Sequence, residues 1–232
     1  MNRSRTILAL SATLAAFTLS SVIAGDITGT VTYGAAPPKP AAVKITKDAA
    51  VCAKEPHLED FLLVDAAKGI KNVVISVTGV KDGKKMMVSP TAPKVDQHGC
   101  RFMPRVQVIP AGQTVDIVNS DGILHNIHTW PKNNAPINKA QPKFRKVMQE
   151  TFEKPDLVRI TCDVHSWMTG WLIVAEHPYY AMSAANGSFS ISGVPAGTYT
   201  VNYWHETLGE KTAQVTVPAS GAVKADLTFP AK

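Results

Sequence analysis

The sequence predicts an all-β protein built as two β-sandwiches, and three observations predict it. Val, Ile and Thr recur in short runs of strand length. Proline and glycine, 16 and 15 residues, punctuate those runs with turns. After Val174 the composition changes and a second set of short strands begins. The 232 residues suffice for one large or two small domains with cores of their own.

Residues 1–24 read as a signal peptide. Arg3 and Arg5 give a positive start, Ile7 to Ile23 is an apolar run broken by Ser and Thr, and Val22-Ile23-Ala24 supplies a cleavage pattern. An uncleaved anchor is the alternative. No later stretch approaches the roughly 18 unbroken apolar residues of a membrane helix, so the mature chain is expected to be exported, periplasmic or beyond, with no transmembrane segment. Loss of Arg3 and Arg5 lowers the formal charge from +6 to +4, too weak and too scattered a balance for nucleic acid.

From Gly25, Ile27, Val31 and Tyr33 alternate in a first strand that Gly34 stops. AAPPKPAA follows, a proline-rich turn or edge segment. Val43 to Ile45, Phe61 to Val64 and Asn72 to Thr78 read as strands, with an irregular polar stretch from Lys47 to Asp60 between the first two. The pattern sharpens after Arg101: strands at Val106 to Val108 and Thr114 to Asn119, a turn at Asp121-Gly122, then Leu124-His125-Asn126-Ile127-His128. Residues 131–154 carry six basic residues, are interrupted by Pro136 and Pro142, and read as an ordered loop. Leu157 to Thr161 is a strand leading into Cys162. Beyond Val174, Asn186-Gly187 is a turn signal, and strands follow at Phe189 to Ile191, Thr198 to Trp204, Ala213 to Val217 and Ala225 to Phe229.

The chemistry concentrates in CDVHSWMTGWLIV, residues 162–174. Cys162, His165 and Met168 stand three apart, and thiolate, imidazole and thioether together suit copper. A methionine argues against structural zinc. Gly170 and the apolar run Trp171 to Val174 make the stretch a loop between strands, so a fourth ligand has to come from elsewhere. Other readings of the loop are a Cys–His nucleophile pair, which has no use for Met168, and three ordinary core residues. If Cys162 binds metal, Cys52 and Cys100 remain as a pair in an oxidising compartment, and the economical reading is a disulfide, two separate buried thiols being the alternative.

Residues 102–174 resemble the cupredoxins, the small blue-copper β-sandwich proteins. Two blocks carry the likeness: VxVxxxGxTVxxxNxDxxxHN from Val106 to Asn126, and the Cys-x2-His-x2-Met-x-Gly loop. The two-residue spacings beside His165, and HNIH at 125–128, most resemble the amicyanins. The resemblance implies a Greek-key sandwich over residues 100–176 holding one type 1 copper. His125, Cys162, His165 and Met168 are its implied ligands, and Asn126 would hydrogen-bond across the site. It further implies single-electron transfer with a redox partner rather than catalysis, and a His165 that lies at the surface in an apolar patch. His128 is expected to face away from the ligands in a supporting role, and His57, His98, His177 and His205 to be surface or loop residues. A binuclear copper centre would need a second cysteine in the loop, and an oxidase would flank Cys162 with histidine where Thr161 and Asp163 stand. An acidic partner is expected near His165 and the basic 131–154 segment.

NGSFSISGVPAGTYTVNYW resembles the transthyretin-like, carboxypeptidase-regulatory type of sandwich. That implies a second domain from residues 25–99 and 177–232, with the copper domain inserted, or two domains in tandem. Two further functions stay open: copper carriage or sensing without electron transfer, and a binding sandwich with a degenerate site.

Overall fold

The computed structural model describes residues 23–81 and 83–231, so the first 22 residues of the expected leader lie outside it. Among the described residues no helix is long and apolar enough to cross a membrane. In chain order, β1 (Ala24–Tyr33) is followed by the short helix α1 (Ala49–Cys52), β2 (Val74–Thr78), β3 (Lys94–Gln97), β4 (Phe102–Met103), β5 (Val106–Pro110) and β6 (Gln113–Asn119). Next come β7 (His125–Trp130), β8 (Asn138–Gln141), β9 (Val147–Phe152), β10 (Asp156–Thr161) and β11 (Thr169–Ala175). The chain closes with β12 (Tyr180–Met182), β13 (Ser188–Pro195), β14 (Gly197–His205), β15 (Gly209–Val217), β16 (Ala222–Lys224) and β17 (Leu227–Phe229).

The chain is all-β. One pair of sheets has the orders β13-β1-β16, with β17 also on β1, and β12-β2-β14-β15. Between them lies a core that includes Ile27, Val31, Ile75, Val77, Val201, Tyr203 and Phe229, drawn from both ends of the chain. Gly29 of β1 faces Phe189 of β13, and a Cβ there would stand 2.8 Å from the phenyl ring. The second pair, β5-β11-β10-β7-β8 and β4-β3-β6-β9, encloses Val95, Val115, Ile117, Ile127, Val158, Ile160 and Leu172. β6 shows the half-buried alternation outright, with Gln113, Val115, Ile117 and Asn119 inward.

Several expectations change. Pro136 and Pro142 flank β8 rather than interrupt a loop, and β8 and β9 extend the two sheets at β7 and β6. β8 leaves three of its four residues exposed, an edge strand with little apolar signal. Residues 43–45 and 61–64 form no strand; an isolated bridge, Ala42 to Leu58, precedes the first, and Val64 at the end of the second bridges to Ile70. Ile45, Cys52 and Val95 pack in the second core, because β3 runs parallel to β6 and a disulfide joins Cys52 to Cys100.

The register sets the site. β10 and β11 pair antiparallel with Thr161 opposite Thr169, so residues 162–168 are the loop between them. β7 lies on the other side of β10, Thr161 opposite His128, and His125 opens β7 at the same end of the sandwich.

Candidate metal centre

Three donor atoms converge at that end. The Nδ1 atoms of His125 and His165 lie 3.0 Å apart, and each is 3.8 Å from Cys162 Sγ. Both imidazoles are fully buried, Cys162 is a buried free thiol, and Met168 is buried in the same core. Donors held about 2.0–2.3 Å from one centre in a trigonal set stand roughly 3–4 Å apart, so the triangle fits a metal ion. The loop is closed on itself: Met168 N–H donates to His165 O at 2.9 Å, and Cys162 N–H to Met168 O at 3.3 Å. That closure holds Met168 beside the triangle without a strand to carry it.

Each imidazole is fixed from behind by a carboxylate. His125 Nε2 lies 2.9 Å from Asp121 Oδ2, and His165 Nε2 lies 2.9 Å from Asp48 Oδ2. Such partners leave Nδ1 free to face the sulfur. Asp121 is itself held by the amides of Gly99 and Cys100 at 2.6 and 2.8 Å. Burial works against a charge on His125, but Asp121 and Cys162 outweigh it and raise its pKa to about 9 in the metal-free chain. Burial also raises the Cys162 thiol, yet hydrogen bonds from His125 and from nearby backbone bring it below the usual thiol range. His165 moves the other way, lowered mainly by burial against the pull of Asp48.

The expected surface position of His165 is not found. Asp48, in a left-handed backbone conformation just before α1, folds its carboxylate over the imidazole edge. The Cys52–Cys100 disulfide anchors that cover, and both sulfurs lie within 4.8 Å of a His165 ring nitrogen. Trp167 packs on His165 with ring centres 5.2 Å apart and donates to Cys100 O. Asn126 spans from β7 to the loop: its Oδ1 accepts from Asp163 N–H at 2.6 Å, and its Nδ2 donates to Asp163 Oδ2 and Asn138 Oδ1. His128 points away from the triangle, with Nδ1 3.0 Å from Asp163 Oδ1. His57 and His205, expected at the surface or in loops, are buried. The sequence reading missed both carboxylates. Asp121 stands four residues before His125, a spacing that could have pointed to it, whereas Asp48 is 117 residues from its partner and has no local signal.

Comparison with known proteins adds the following. The family model that matches is polysaccharide lyase family 4, domain II, over residues 154–225, a stretch from β10 to β16. It is not the carboxypeptidase-regulatory type expected for the flanks. No curated protein matches. Among solved structures, a purple cupredoxin from Nitrosopumilus maritimus is 22% identical, covering 36% of this chain and 99% of its own, at a TM-score of 0.31. Amicyanin in a Cu(I) form is 19% identical, covering 44% and 98%, at 0.34. A Cu-containing nitrite reductase from Thermus scotoductus is 29% identical over 42% of this chain, at 0.33, and only 25% of that enzyme is covered.

Proposed function

We propose that this chain is an exported blue-copper protein that carries single electrons between redox partners and catalyses no reaction of its own. The observation that carries the reading is the buried triangle of His125 Nδ1, His165 Nδ1 and Cys162 Sγ, with both histidines oriented by carboxylates. Met168 is the proposed axial ligand, on the closed turn that follows. Copper held this way changes oxidation state with little change of geometry. The residues contribute the rest: Asp121 and Asp48 fix the rings, Asn126 ties the loop to β7, and the core around Cys162 excludes water. The copper sandwich is proposed to be inserted in a host sandwich made from both chain ends, consistent with the two cores.

The proposed partner face lies beside the ligands, where Leu124 and Phe144 are 47% and 80% exposed and Lys47, Lys143 and Val164 line the same hollow. An acidic redox protein fits that apolar centre and basic rim, and its association should slow as ionic strength rises. Copper carriage or sensing without electron transfer is the second reading, favoured by the complete burial of both imidazoles.

The deciding experiment adds Cu(II) to the purified mature chain. The expected result is an intense visible thiolate-to-copper band with narrow copper hyperfine splitting, both lost in Cys162→Ser. A colourless protein with an ordinary copper spectrum would sink the blue-copper reading. A blue protein inert toward small redox mediators would favour the second.

A further inference from the structure

Both histidines of the triangle are sealed, with no exposed edge and with Nε2 occupied by a carboxylate. Electrons that reach the site therefore have to cross some other group. Trp130, the last residue of β7, is 53% exposed. Its indole N–H donates to Thr161 Oγ1 at 3.0 Å, and Thr161 is bonded to Cys162. The same indole stacks on His128, ring centres 4.1 Å apart and planes 27° from parallel. His128 Nδ1 in turn lies 3.0 and 3.2 Å from the carboxylate of Asp163, the residue bonded to Cys162 on its other side. One exposed aromatic group is thus tied by short contacts to both peptide neighbours of the thiolate.

The tie is held firmly. Thr161 lies opposite His128 across the β7–β10 pairing, and Trp130 lies opposite Arg159. Asn126 and Asn138 both donate to Asp163 Oδ2, at 3.1 and 3.0 Å. Arg159 is exposed and places a positive charge on the strand beside the indole, which favours an anionic exchange partner.

We propose that Trp130, stacked on His128, is the electron port of this protein, with the route running from the indole through Thr161 to the Cys162 thiolate. The inference rests on the copper reading and moves the point of electron exchange from the Leu124–Phe144 hollow to the exposed indole, leaving that hollow as a docking surface only. In the exchange the reduced centre loses one electron and an anionic one-electron acceptor such as hexacyanoferrate(III) gains it. No bond forms or breaks and no proton moves, and Trp130 bridges without being oxidised itself.

The test has a copper-free arm and a loaded arm. In the first, hexacyanochromate(III), a paramagnetic and redox-inert anion, is added to the metal-free protein. Broadening of the Trp130 indole and His128 resonances is expected, and broadening confined to Leu124 and Phe144 overturns the proposal. In the second, electron exchange with hexacyanoferrate is timed in Trp130→Leu and Thr161→Val, the latter replacing by a methyl group the hydroxyl that accepts from the indole and donates to His128 O. Both should exchange several-fold more slowly than wild type, while the visible band and potential stay in place. An intact band with an unchanged rate in both port variants overturns the port and leaves the copper reading standing. A wild-type chain without the thiolate band overturns the copper reading and the port with it.

Discussion

At the scale of single residues, the site depends on where two carboxylates stand. Asp121 accepts two backbone N–H groups and offers an oxygen to His125, so it arrives rigid and turns Nδ1 toward the sulfur. Removing such a support typically weakens metal affinity by about 10–100-fold. Asp121→Ala should therefore bind copper that much more weakly in a competition titration, with the band little shifted. Wild-type affinity would show that the ring is oriented by packing alone. A second residue marks the core drawn from both chain ends. Tyr203 is fully buried, its hydroxyl donates to Ala225 O at 2.7 Å, and burial, aided by Asp226, raises its pKa to about 12. The folded state thus favours the neutral phenol. Its contribution is whole below pH about 10, where the unfolded tyrosine is also neutral, and fades as pH rises toward about 12. Urea unfolding across that window should show up to about 3 kcal/mol of loss that Tyr203→Phe lacks. The meeting of His125, Cys162 and His165 was legible because they sit in a strand context and a short loop whose spacing is local. Asp48 was not, since only the folding of a distant irregular segment brings it to His165.

At the scale of elements, legibility followed how much of each strand is buried. β6 and β10 bury alternate apolar residues and were read from that pattern. β8 buries only Gln141 and β3 buries Val95 and Gln97, so neither carries an apolar period. Those two inward glutamines are paired: Gln97 Nε2 donates to Gln141 Oε1, and Gln141 Nε2 to Ile117 O. Their pairing locks β3 and β8 beneath the turn that carries Asp121, as Asn119 Nδ2 also does by donating to Ile123 O and Gln141 O. Helix α1 has four residues, too few for any periodic signal, and its place depends on the disulfide. That bond spans 48 residues of sequence, and in the chain-entropy model it stabilises the fold by about 4 kcal/mol. The paired change Cys52→Ser and Cys100→Ser should lower unfolding free energy by about 2–5 kcal/mol. It should also expose His165 to imidazole-modifying reagents as the Asp48 cover loosens. A His165 that stays protected would show that Asp48 and Trp167 hold the cover without the covalent tie.

At the scale of the whole molecule, a charged cluster joins the two cores. Arg105 and Trp171 lie between β4 and β5 and on β11, in the second pair of sheets, and Trp204 and Glu206 at the end of β14, in the first pair. Glu206 grips Arg105 with both oxygens, at 2.6 and 2.8 Å, and accepts from Trp171 Nε1 at 3.1 Å. Arg105 also bonds Asp60 at 2.7 Å and Thr169 Oγ1 at 2.8 Å, the latter just after Met168. Trp171 and Trp204 meet edge to face with ring centres 5.0 Å apart. Burial opposes the Arg105 charge, but Glu206 and Asp60 more than restore it. The Arg105 and Glu206 side chains are only 12% and 8% exposed, so the pair is desolvated and neither member is easily removed alone. Glu206→Ala strands most of a buried guanidinium. It should cost about 3 kcal/mol, the lower end of the range for breaking a buried pair, because Asp60 remains. The loss falls on the joint rather than on either core, so the sandwiches should come apart as units. Urea unfolding followed by tyrosine and by the copper band should then split from coincident transitions into two, the copper sandwich melting separately. The band should also shift, because Arg105, released from Glu206, no longer fixes Thr169, the residue after Met168. A change below about 0.5 kcal/mol with coincident transitions would mean that the aromatic contact alone couples the two sandwiches.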